Sequence, residues 1–98
     1  MTNHSGARLL VVDDEESIRE VLIDFMTMEG YQVTAASNGL EAVALLEKES
    51  FDACLVDMKM PGMDGLEVLE HIARLAPNAL SIMMTGFGTV ETAIAAMK

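Results

Sequence analysis

Three carboxylates stand where an open parallel sheet would gather them. Asp13 and Asp14 follow a short apolar run, Leu9 to Val12, and Asp57 follows another, Ala53 to Val56. If these runs are neighbouring strands, the three acids converge at the carboxyl ends, where ligands bind in such sheets. Converging like charges raise at least one pKa unless a cation is present. A hard divalent ion with oxygen ligands removes the conflict. Mg²⁺ suits, because it takes one or two carboxylates and keeps several waters. Thr85 places a hydroxyl after a further run, Leu80 to Met84, and Gly86 beside it lets a ligand approach the backbone. The chemistry this set supports is phosphoryl transfer. An Asp can attack a phosphoryl group and hold it as an aspartyl phosphate. A metal neutralises the transferring charge, and the Thr85 hydroxyl could hydrogen-bond a phosphoryl oxygen.

The elements that must position these groups alternate along the chain. Leu9 to Val12 and Ala53 to Val56 are short apolar runs of the kind buried on both faces, Val33 to Ala36 reads as a weaker strand, and Leu80 to Met84 as a fourth. Between and after them lie helical stripes: Ile18, Val21, Leu22 and Phe25; Leu40, Val43 and Leu46; Leu66, Leu69, Ile72 and Ala73; Val90, Ala93, Ile94 and Met97. Gly30 ends the first helix. Asn38 with Glu41, and Asp64 with Glu67, have the spacing of capping boxes. Pro77 and Asn78 make a turn. The order βαβαβαβα predicts an α/β fold, a parallel sheet with helices on both faces and right-handed crossovers.

Composition narrows the function. A chain of 98 residues holds one domain, with residues 1–7 a frayed end. Its net charge of −10 argues against a nucleic-acid-binding face. With one cysteine, Cys54, it has no internal disulfide or Cys-rich zinc site. No run approaches a membrane span, and Asp13 and Asp14 cut short what would be a signal peptide's apolar stretch. The expectation is a cytoplasmic domain that touches neither membrane nor nucleic acid.

Three ordered motifs carry a resemblance: Val11-Val12-Asp13-Asp14-Glu15, Asp57-Met58-Lys59-Met60-Pro61-Gly62-Met63-Asp64-Gly65, and Met83-Met84-Thr85-Gly86. From Arg8 to Lys98 the chain resembles the receiver domain of bacterial two-component response regulators. The stretch Met84-Thr85-Gly86-Phe87-Gly88-Thr89 is most similar to receivers of sigma-54-dependent transcription activators. The resemblance implies a flavodoxin-like (CheY-like) doubly wound sheet of order 2-1-3-4. It implies that Asp57 accepts phosphate from a sensor histidine kinase. Asp14 and Asp57 would bind Mg²⁺ directly with the backbone carbonyl of Lys59, and Asp13 would hold the ion through water. Thr85 would be the switch hydroxyl, and Pro61 and Gly65 would shape the loop after the acceptor. The protein would then regulate transcription as a switch, through an output domain, rather than act as an enzyme.

The family continues into a fifth strand and helix, whereas this sequence ends at Lys98 on its fourth helical stripe. Lys98 does not follow an apolar strand, so it does not match the family's phosphoryl-pairing lysine. An open fourth strand is a template for pairing. It leads to the expectation of low monomer stability, or of association as a homodimer, by the edge strand or by swapping. Two other functions remain open: an interaction module that works without phosphorylation, and an Asp-nucleophile Mg²⁺ phosphatase. Against the latter, Lys59 stands where a general acid would be expected. Taken singly, the acidic run is a favourable helix start, Asp57 a turn former, and Thr85-Gly86 a loop. Cys54 and most methionines read as core, His4 and His71 as solvated. Met58, Met60 and Met63 read as partly exposed.

Overall fold

The computed structural model describes residues 6–58, 60 and 62–84. The elements are β1 (Arg8–Val12), α1 (Glu16–Met28), β2 (Gln32–Ala36), α2 (Gly39–Lys48), β3 (Ala53–Asp57), α3 (Gly65–Leu75) and β4 (Leu80–Met84). The four strands are parallel, in the order β2-β1-β3-β4. This is the flavodoxin-like arrangement. The helical stripe over residues 90–97 lies outside the described residues.

Side chains on successive strand residues point to opposite faces, and β1 separates two cores accordingly. Leu9 and Val11 pack with Leu22 and Met26 of α1, Leu55 of β3 and Met84 of β4. Leu10 and Val12 pack with Ala42 and Leu46 of α2, Val68 and Ile72 of α3, and Cys54 and Val56 of β3. Leu9, Leu10, Val11 and Val12 are all fully buried, which explains why the strand reads as an unbroken apolar run. Burial also pushes the Cys54 thiol up to about 11, so it stays protonated and inert.

The helix ends follow local chemistry. At the end of α1, Gly30 has φ +101°. Its N–H bonds the Thr27 carbonyl and that of Tyr31 bonds the Met26 carbonyl, a Schellman closure. At α3, Asp64 accepts from the Glu67 N–H and Glu67 accepts from the Asp64 N–H, a complete capping box. At α2 only half of the expected box forms. Asn38 caps the Glu41 N–H, but Glu41 reaches one residue further, to the N–H and hydroxyl of Ser37. A serine there offers two donors to one carboxylate oxygen, where the Asn38 N–H offers one. Asp64→Ala should cost about 1 kcal/mol, up to roughly 2, of unfolding free energy. Urea denaturation checks this, and an unchanged midpoint would contradict it.

The helices are rotated relative to the expected stripes. Val21, Leu40 and Leu66 are 51%, 74% and 57% exposed, and Ala73 is exposed as well. The buried lines are Leu22 and Met26 on α1; Gly39, Ala42 and Leu46 on α2; and Gly65, Val68 and Ile72 on α3. At about 100° per residue, a glycine turned to the core sends the next residue outward. Both glycines are turned inward because the chain passes too close for a side chain. A Cβ on Gly39 would stand 2.7 Å from the Met63 Cβ. Met60 is 7% exposed and belongs to the α2–α3 core, so it is not a surface residue as its loop position implied.

Candidate functional site

Strand register builds the site. Val12 of β1 lies opposite Val56 of β3, so the next residues, Asp13 and Asp57, leave adjacent strands side by side. The Asp13 N–H continues the β1–β2 ladder to the Ala36 carbonyl (3.1 Å), and the Met58 N–H continues the β3–β4 side to the Met84 carbonyl (2.8 Å). The chain moves from β1 to β2 on one side and reaches β3 on the other. A crevice therefore opens at the carboxyl ends of β1 and β3.

Asp13, Asp14 and Asp57 meet there, with a carboxylate oxygen of each within 4.8 Å of the others. They grade outward: Asp13 is buried, Asp57 half-buried and Asp14 exposed. Burial does most to raise the Asp13 pKa, to about 6, and the charges of Asp57, Asp14 and Glu15 add to it. The Glu15 N–H opposes them by donating to Asp13 Oδ1 at 2.8 Å. A crowded, partly desolvated trio of hard oxygens is a poor place for three negative charges and a good one for a divalent cation. The donor set fits Mg²⁺.

The acceptor-side backbone is held from below by α3. The Gly65 N–H bonds the Met58 carbonyl at 3.1 Å. A Cβ on Gly65 would stand 2.6 Å from Met58 Cα and 2.7 Å from the Asp57 carbonyl oxygen. Backbone cannot yield as a flexible side chain does. Gly65→Ala should therefore cost about 1–3 kcal/mol and displace Asp57. Chemical denaturation and the rate of phosphoryl uptake check the two effects, and a variant wild-type in both would refute the close approach.

Of the residues named from sequence, the structure brings Asp13, Asp14 and Asp57 together. Lys59, Pro61 and Thr85 lie outside the described residues. Two contributors had no motif to announce them. Arg19, a half-buried cation on α1, donates from Nη1 to the Asp13 carbonyl at 2.7 Å. Ser37, next to the Ala36 whose carbonyl accepts from the Asp13 N–H, anchors Glu41. Their only trace in the sequence is position, one helical turn after the acidic run and one residue after β2.

Residues 9–98 match the model of the response regulator receiver domain. The chain belongs to this family. The receiver is 42% identical over 84 residues to sporulation initiation phosphotransferase F of Bacillus subtilis, covering 86% of this chain and 68% of that protein. It is 38% identical to response regulator protein PilR of Pseudomonas aeruginosa, covering 96% of this chain but 21% of that protein. The receiver thus spans about a fifth of the longer regulators it matches. It also superposes on a chain of the solved complex of histidine kinase ThkA with response regulator protein TrrA. The TM-score is 0.74 and identity 36%, covering 84% of this chain and 73% of that one. This is a receiver domain of two-component response regulators, a class of signalling switches. No helix among the described residues is long and apolar enough to cross a membrane.

Proposed function

We propose that Asp57 accepts a phosphoryl group from the phosphohistidine of a sensor kinase, in a Mg²⁺-dependent reaction at the β1–β3 crevice. The observation that carries this reading is the meeting of the Asp13, Asp14 and Asp57 oxygens within 4.8 Å. Asp57, on the last residue of β3, presents its carboxylate as the nucleophile. Its oxygen forms the new bond to phosphorus while the P–N bond to the donor imidazole breaks, and the electron pair returns to that nitrogen, which takes up a proton. When bound, a magnesium ion would be held by Asp14, Asp57 and the Lys59 backbone carbonyl, and through water by Asp13, and would neutralise charge on the phosphoryl oxygens. Asp13 keeps one carboxylate oxygen on the Glu15 N–H, which orients the other. Thr85 responds to the bound phosphoryl group by hydrogen bonding.

The consequence is a switch rather than a turnover. The added phosphoryl group carries roughly −1.5 to −2 charge, and partner preference shifts with it, typically by about 1–3 kcal/mol. Within a longer regulator, the shift passes to an output domain that controls transcription. Donor phosphohistidines made from ATP place the domain in the cytoplasm.

Intact mass spectrometry after incubation with acetyl phosphate tests the reading. One phosphoryl adduct per chain is expected with Mg²⁺ and none with a chelator. Sustained hydrolysis of a phosphomonoester without a stable adduct would favour a phosphatase. No adduct from folded protein would overturn the proposal.

A further inference from the structure

We propose that Arg19 is a positioning residue for metal binding, clamping the Asp13–Asp14 turn so that both carboxylates face Asp57. This rests on the function proposed above and adds to it a residue outside the acidic set.

Arg19 is the fourth residue of α1. Helical side chains lean toward the helix N-terminus, so from this position the guanidinium covers the turn that leads from β1 into α1. Nη1 donates to the Asp13 carbonyl at 2.7 Å, a charge-assisted bond to the backbone of the buried acid rather than to its side chain. With it, every polar direction of Asp13 except its second carboxylate oxygen has a defined role. The N–H is tied to Ala36 at 3.1 Å, the carbonyl to Arg19, and Oδ1 to the Glu15 N–H at 2.8 Å. On α2, Glu41 has its own anchor. Glu41 is fixed by the N–H and hydroxyl of Ser37, at 2.7 and 2.8 Å. These two contacts do most to hold its carboxyl below the usual range, and the charge of Arg19 adds least.

Two opposing effects make the idea decidable. Removing a cation near a metal site should by charge alone tighten Mg²⁺ binding. Removing a positioning contact should weaken it, by about tenfold if the contact behaves like other supports of metal ligands. The experiment compares wild type, Arg19→Gln and Arg19→Lys by calorimetric Mg²⁺ titration. It also measures the Mg²⁺ dependence of phosphoryl uptake from acetyl phosphate, and thermal melting without metal. Arg19→Gln should bind Mg²⁺ about tenfold more weakly and need correspondingly more for half-maximal uptake. Its rate at saturating Mg²⁺ should stay within about twofold of wild type. Arg19→Lys, which can still donate to the Asp13 carbonyl, should recover part of the affinity. Unchanged or tighter binding in folded Arg19→Gln overturns the proposal. If that variant does not melt cooperatively, Arg19→Lys, which keeps the charge and alters only the contact, takes its place. Weaker binding there supports the clamp, and wild-type binding overturns it. Wild-type protein that binds no Mg²⁺ would instead remove the proposed function itself, a result distinct from a failure of Arg19.

Discussion

Asp57→Asn will lose phosphoryl uptake down to background while remaining folded. The carboxamide keeps the size and most of the hydrogen bonding of the carboxylate, but its oxygen is not a nucleophile toward phosphorus at neutral pH. The variant therefore removes one bond-forming atom and little else. Melting should not fall, because the substitution also takes one charge out of a cluster whose members repel one another. The measurement is intact mass after acetyl phosphate and Mg²⁺, with wild type alongside. A second property identifies the bond. An acyl phosphate on Asp57 should be released by neutral hydroxylamine, whereas a phosphoester on a serine or threonine should survive it. An adduct of wild-type size on folded Asp57→Asn, or a hydroxylamine-resistant adduct on wild type, would assign the chemistry to another residue.

Asp13→Asn will stabilise the metal-free receiver at neutral pH. Burial and neighbouring acids raise the Asp13 pKa from 3.8 to about 6 in the folded chain. The folded state therefore binds more protons than the unfolded state between those values, and stability falls as pH rises through that window. The contribution is fully present below about pH 4 and lost above about pH 6. A shift of this size corresponds to about 2–3 kcal/mol, the gain expected for Asp13→Asn at pH 7.5 without metal. The asparagine can still accept from the Glu15 N–H, so the turn is kept. Mg²⁺ should do for wild type at pH 7.5 what the mutation does, and little for the mutant. Its effect on wild type should shrink toward pH 5, where protons compete for Asp13. Urea denaturation with and without Mg²⁺ at the two pH values reads all of this. A variant less stable than wild type at pH 7.5 without metal would show that Asp13 is not under the strain described.

Much of this was legible in the chain. Continuous apolar runs located all four strands to within a residue at each end, and stripes of period 3.6 fell inside the three described helices, because burial and amphipathicity leave local signatures. Asp13, Asp14 and Asp57 stood out for the same reason: each closes an apolar run that can only be a buried strand. The Asp64–Glu67 box and the Gly30 stop are local chemistry and formed as expected.

What only the tertiary structure decided is how these pieces face one another. Spacing alone cannot order parallel strands, since any crossover satisfies it. The adjacency of β1 and β3 followed from family resemblance and is now a register, Val12 opposite Val56. Helix rotation was misjudged at Leu40 and Leu66, because apolar character ranks a leucine above a glycine. Close packing reverses that order where another part of the chain leaves no room for a side chain. The proton affinity of Asp13 and the reach of Arg19 to its carbonyl are likewise products of assembly. A carboxylate's charge is written in the sequence. The burial and neighbours that set its cost arise only when distant strands and helices close around it.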